Sequence, residues 1–242
     1  MNIENKTVLI TGANRGIGRA LVTEALRRGA KRVYAGTRSP LENVVERVFP
    51  LTLDVTSGPE IRRAAAAISA LDILINNAGI ASYDDLSSAE AIERHLAVNL
   101  FGTLNVTNAF LPLLRRSKGA IVNNLSLVAL APLPFISGYS ISKAAAFSMT
   151  QSLRALLAGH GVKVHSVLLG PVDTDMNRGF DIPKASPESV SMGIFDALEK
   201  GEEDIFPDPA SQSVAEGWRA GVAKLLEHQF AAFLPRTASN PA

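Results

Sequence analysis

Thr7-Val8-Leu9-Ile10-Thr11-Gly12-Ala13-Asn14-Arg15-Gly16-Ile17-Gly18 carries a short apolar run directly into a turn that holds three glycines within eight residues. The run reads as a buried strand and the residues from Gly16 to about Gly29 as a helix. Glycines at such a junction let the backbone approach a pyrophosphate at a helix N-terminus, where unpaired N–H groups and the macrodipole favour an anion. The spacing is T-G-x-x-x-G-x-G, not the commoner G-x-G-x-x-G. A tight turn that needs glycine only for positive φ or close packing is the plainer alternative. So many glycines at the first strand-to-helix junction favour the nucleotide.

Outward from that turn the same alternation repeats. Arg32 to Ala35, Phe49 to Leu53, Ile73 to Ile75, Ala120 to Val122, Val162 to Leu168 and Glu203 to Phe206 read as further strands. Helices are predicted near residues 16–29, 57–70, 87–115, 137–158 and 187–200, with a C-terminal helix at about 210–234. Ser186-Pro187 supplies an N-cap and a proline at the first helical position, and Gly29, Gly159 and Gly201 fall where helices should stop. The expected fold is α/β: a Rossmann-type, doubly wound parallel sheet with helices on both faces, as a single domain over residues 1–242.

Composition narrows the function. With 24 basic and 23 acidic side chains the net charge is +1, and the basic residues are scattered, so no nucleic-acid partner is expected. The absence of cysteine excludes disulfides and thiol chemistry, and His95, His160, His165 and His228 lack metal-ligand spacing, so no metal is expected. Strand-like sequence begins by Thr7 and no apolar run approaches the ~18 residues of a membrane span, so the expectation is a cytoplasmic protein without a membrane partner.

Two features carry chemistry. Where an acid about 20 residues past the glycines would hold a ribose 2′-hydroxyl, this chain has Gly36-Thr37-Arg38. Arg38 offers a planar fork suited to a 2′-phosphate and Arg15 adds a second positive charge, which favours NADPH/NADP+ over the NAD pair; two solvated surface arginines are the alternative. Tyr139 and Lys143 stand four apart on a predicted helix, placing phenol and ammonium on one face. The ammonium is expected to lower the Tyr139 pKa towards working pH, making the pair a usable general acid or base.

Taken with these, several segments appear in the order found in the short-chain dehydrogenase/reductase family, which the chain resembles over essentially its whole length. They are the glycine turn, Leu53-Asp54-Val55, Asn76-Asn77-Ala78-Gly79, Asn99, Ser126 13 residues before Tyr139, Tyr139-Ser140-Ile141-Ser142-Lys143, and Gly170-Pro171-Val172-Asp173-Thr174. The resemblance implies a catalytic set of Asn99, Ser126, Tyr139 and Lys143. It also implies cofactor contacts from Gly12, Asn14, Arg15, Ile17, Arg38, Asp54, Val55, Asn77, Ala78, Tyr139, Lys143, Val172 and Thr174. In that family Tyr139 would donate the proton, Ser126 would hydrogen-bond the same oxygen, and Lys143 would tune Tyr139 and hold the nicotinamide ribose. Asn99 would interrupt the long helix and free a carbonyl for a water. Leu169 and His165 depart from the family's usual Pro and Asn; a hydrogen-bonded His165 is favoured over an extra acid/base group, and Asn76 reads as a structural, backbone-pairing amide rather than a substrate contact.

The implied activity is NADPH-dependent reduction of a ketone or aldehyde, with the family's dedicated 3-oxoacyl-thioester reductases as the near alternative and a non-catalytic nucleotide sensor as the distant one. Leu127 to Phe135 and a substrate loop over about 175–186, with Met176 and Phe180, would form an apolar pocket. The helices after residues 87 and 137 are expected to build a homotetramer or homodimer.

Overall fold

The computed structural model describes residues 1–39, 41 and 45–233. Seven parallel strands, β1 (Thr7–Thr11), β2 (Arg32–Thr37), β3 (Val48–Thr52), β4 (Ile73–Asn76), β5 (Ala120–Asn124), β6 (Lys163–Val167) and β7 (Asp204–Ile205), form one sheet in the order β3-β2-β1-β4-β5-β6-β7. The order reverses between β1 and β4, which opens a crevice at the carboxyl ends of those two strands.

The central strands are apolar on both sides because both sides are covered. Val8 and Ile10, Ile73 and Ile75, and Ala120 and Val122 face one layer with helices α1 (Gly16–Arg27) and α6 (Pro187–Lys200). Leu9, Leu74 and Ile121 face the other, where α2 (Gly58–Ala67), α4 (Thr103–Ser117) and α5 (Ser137–Ala158) pack. The predicted α/β class, strand positions and two-sided covering agree with this architecture.

Two predicted helices differ in detail. Residues 87–115 form α3 (Ala89–Leu96), a π-helical turn over Ala97–Gly102, and α4. Within Ala89–Ser117 one 18-residue stretch is long and apolar enough, by length and composition, to cross a membrane. That differs from the run-length expectation, because spaced polar residues interrupt the runs without lowering the average. Val106, Phe110 and Leu114 of this span pack against the sheet in the second layer.

The C-terminal helix is two helices, α7 (Pro209–Arg219) and α8 (Val222–Ala231), with Gly221 in extended conformation between them; residue 234 lies outside the described residues. The break turns Lys224 and Glu227 inward. Lys224 pairs with Asp204 at 2.8 Å and with Glu227 at 3.1 Å, and Arg154 of α5 pairs with Asp204 and Glu227. Trp218 Nε1 donates to Asp204 at 2.8 Å, so α7 and α8 are both tied to β7 and α5.

Candidate active site

The crevice is a cleft of about 440 Å³. Its floor at one end is the glycine turn. Gly12 and Gly16 take positive φ, +65° and +50°, and a Cβ on Gly18 would lie 2.0 Å from the Gly12 carbonyl oxygen. Both physical uses of glycine therefore occur together: unusual backbone conformation and contact too close for any side chain. At the start of α1, Arg15 stands as N-cap without a capping side-chain hydrogen bond and the first turn holds no acid, which leaves the helix N-terminus suited to an anion.

Asn77 locks this turn to β4. Its backbone N–H, like that of Ala78, donates to Thr11 Oγ1 at 3.0 Å, and its Nδ2 donates to the carbonyls of Thr11 (3.0 Å) and Gly12 (3.2 Å). Asn124 Nδ2 donates in turn to Asn77 Oδ1 at 2.9 Å, and the Asn124 carbonyl accepts from Lys143 Nζ at 2.7 Å. A continuous chain of hydrogen bonds thus joins the glycine turn to Lys143. Thr11 and Asn124 were not singled out from sequence; they lie at the ends of β1 and β5, and only the strand order brings them to Asn77.

At the outer end, Arg38 lines the cleft with an exposed side chain that has no hydrogen-bond or ion-pair partner among the described residues. Asp54 and Val55 line the wall beside it, and the Asp54 carboxyl is held below its ordinary pKa by hydrogen bonds from Thr56, with Arg38 adding a favourable charge. Arg15 instead reaches across to Asp175 at 3.4 Å, joining the glycine turn to the loop after β6. The uncapped helix N-terminus suits the pyrophosphate of a dinucleotide, and at the other end of the cleft Arg38 presents a guanidinium with no partner among the described residues.

At the inner end stand Tyr139 and Lys143, on one face of α5 as predicted, with Lys143 Nζ 5.6 Å from the centre of the Tyr139 ring. Their electrostatics differ from expectation. Burial pushes the Tyr139 phenol up to about 12, opposed by a hydrogen bond with Ser126, and burial pulls the Lys143 ammonium down to about 8. The expected lowering assumed that Lys143 charge outweighs lost hydration. Here both groups lose water, and the ammonium is directed at the Asn124 carbonyl.

Asn99 sits inside the π-helical turn and works through its side chain. Its Nδ2 donates to the Ile80 carbonyl (3.0 Å) and Ser142 Oγ (2.8 Å), and its Oδ1 accepts from Ile80 N–H (2.9 Å). Its own carbonyl accepts from Thr103 Oγ1 at 3.0 Å, where the resemblance implied a carbonyl left for a water. The π-helical turn presses on the cleft wall: a Cβ on Gly102 would meet Val55 Cγ2 at 2.7 Å.

Asn14, Ile17, Ala78 and Thr174 line the cleft as expected. Val172 does not; it is buried and pairs with Ala185, closing the base of the loop after β6. His165 is buried and hydrogen-bonded through Nδ1 to the Glu202 carbonyl, away from the cleft. Asn76 is structural, but pairs with side chains, Thr107 Oγ1 and Asn123 Oδ1, and not with backbone.

A positioning residue that sequence reading missed is Asp84. The N-cap position of α5, Ile136, offers no capping side chain, and Asp84 supplies the acceptor from the loop after β4. Both its oxygens accept from Gly138 N–H, at 2.9 and 3.0 Å, one residue before Tyr139.

The chain matches the short chain dehydrogenase family over residues 6–184 and belongs to that family. It is 30% identical to estradiol 17-beta-dehydrogenase 2 of Rattus norvegicus over 99% of its own length and 62% of that protein's, so it spans under two thirds of that relative. It is 33% identical to an uncharacterized oxidoreductase of Staphylococcus aureus (strain USA300), covering 81% of this chain and 92% of the other. Among solved structures it superposes on a short chain dehydrogenase from Burkholderia cenocepacia in complex with NADP, with TM-score 0.87, 39% identity, and 97% and 100% of the two chains covered. It also superposes on an NADPH-bound carbonyl reductase from chicken fatty liver, with TM-score 0.72, 28% identity, and 78% and 85% covered.

Proposed function

We propose that this protein is an NADPH-dependent carbonyl reductase that reduces an apolar ketone or aldehyde to an alcohol, reversibly. The observation that carries the reading is one cleft with Arg38 at its outer end, the glycine turn in the middle and the Tyr139–Lys143 pair at the inner end. The likeness to an NADP complex and to an NADPH-bound carbonyl reductase supports it.

NADPH held along this cleft would supply the hydride. Arg38 would hold the 2′-phosphate through a bidentate guanidinium, and the N–H groups at the start of α1 would hold the pyrophosphate. With its pKa at about 12, the Tyr139 phenol keeps its proton at neutral pH, so it stands ready to donate to a carbonyl oxygen as negative charge develops there. Ser126, whose hydroxyl donates to the Leu169 carbonyl at 3.4 Å, would turn that proton to the same oxygen as a second donor. Lys143 is held by the Asn124 carbonyl and retains two further N–H donors for ribose hydroxyls and for Tyr139 once charge builds on it.

The test is a panel of ketones and aldehydes assayed with purified protein by loss of NADPH absorbance, with NADH in parallel. Turnover of apolar carbonyls with higher kcat/KM for NADPH is expected. No turnover of any carbonyl, or preference for NADH, overturns the reading.

A further inference from the structure

Three aromatic rings from three separate loops meet at the N-terminal end of α5. Tyr83 comes from the loop after β4, Phe135 from the segment between β5 and α5, and Phe180 from the loop closed by the Val172–Ala185 pairing. Tyr83 stacks on Phe180 with centroids 5.7 Å apart and an interplanar angle of 22°, and Phe135 lies 6.1 Å from each. Tyr83 is 70% and Phe135 44% exposed, so core packing does not explain the cluster.

Its position relative to the reacting groups is fixed by hydrogen bonds. Asp84, next to Tyr83, donates its N–H to the Phe135 carbonyl at 3.2 Å and accepts from Gly138, next to Tyr139. Phe180 is anchored differently. It follows Gly179, whose φ is +91°, and its N–H donates to the Asn177 carbonyl at 3.3 Å.

We propose that Tyr83, Phe135 and Phe180 form an aromatic wall that receives a flat aryl or conjugated group of the carbonyl substrate. The inference rests on the carbonyl-reductase reading and names its substrate class. Offset and edge-to-face contacts give a π face an advantage over a saturated ring of the same skeleton. Tyr83 is then a specificity-determining residue.

The test compares acetophenone with cyclohexyl methyl ketone, which share a skeleton and differ in the π face, on the unmodified protein and on Tyr83→Leu, Phe180→Leu and the double variant. The double variant should lower the aryl-to-cyclohexyl ratio of kcat/KM by about 3- to 10-fold, the loss falling mainly on KM for the aryl ketone, with melting temperature retained. An unchanged ratio, or equal losses for both ketones, overturns the wall. Ligand-detected NMR binding of the same two ketones, with NADP+ present, separates the two readings. If no carbonyl is turned over, a binding preference for acetophenone that the double variant abolishes still supports the wall, and equal binding of both ketones overturns it.

Discussion

Gly18→Ala should disable cofactor binding without any change of charge or polarity. The added Cβ would sit 2.0 Å from the Gly12 carbonyl oxygen and 2.7 Å from Asn77 Nδ2. Ordinary contact is about 3.4 Å or more, so α1 and the turn must separate by more than about 1 Å. The turn cannot yield cheaply, because Asn77 Nδ2 holds the Thr11 and Gly12 carbonyls at 3.0 and 3.2 Å. Overpacking of this kind costs about 1–3 kcal/mol, partly offset by the gain of about 1 kcal/mol from replacing glycine by alanine in a helix. A net loss of up to about 2 kcal/mol lowers the melting temperature by up to roughly 8 °C at this chain length. A shift of about 1 Å in the pyrophosphate site should weaken turnover by about 100-fold. NADPH-linked turnover and calorimetry measure these two quantities, and NADPH fluorescence titration measures the cofactor affinity. Gly217→Ala on α7 serves as control, since nothing lies within 4 Å of its added Cβ, and it should be neutral or stabilising. A Gly18→Ala protein that binds NADPH within threefold of the parent and melts at the same temperature would refute the close-approach argument.

Arg38→Asp should move preference from NADPH towards NADH by replacing the attracting charge with a repelling one; an unchanged kcat/KM ratio between the two cofactors contradicts the assignment of Arg38. Burial lowers Lys143 from 10.5 to about 8, so between those values the unfolded chain binds that proton more tightly and folding stability rises with pH; the raised Tyr139 acts with opposite sign only above pH 10. Urea unfolding should therefore show the parent gaining stability relative to Lys143→Met between pH 8 and pH 10, whereas a constant difference argues against a buried ammonium. Phe101 of the π-helical turn and Ile141 of α5 are 52% and 40% exposed, and burial of these surfaces against a second copy predicts a dimer or tetramer by light scattering. A monomer at micromolar concentration would exclude that assembly.

The parts legible in sequence were those that short-range pattern controls. Val8 to Ile10 and Ile73 to Ile75 read as strands because both their faces are covered, so every position is apolar. The glycine turn and the Tyr139–Lys143 spacing likewise lie within a few residues of themselves. The Tyr139 pKa did not, because its sign depends on how much water Lys143 and the phenol lose, which sequence spacing does not record. Asp84 reaches Gly138 across 54 residues, and no local signal marks an aspartate as the N-terminal acceptor for a helix that far away. The break between α7 and α8 carried a signal in Gly221, but apolar residues continue past it. Its purpose shows only once Lys224 is seen against Asp204 and Glu203. Val172 shares its segment with Thr174 yet is drawn away from the cleft by pairing with Ala185, a register that a motif does not encode.

The most direct measurement of the central claim is kcat for carbonyl reduction by Tyr139→Phe, taken beside its affinity for NADPH. Removing the phenolic proton should lower kcat by about 10²–10⁴-fold while leaving NADPH affinity largely intact, because the cleft from Arg38 to the glycine turn is untouched. A Tyr139→Phe protein that keeps more than half of the parent's kcat would contradict the account.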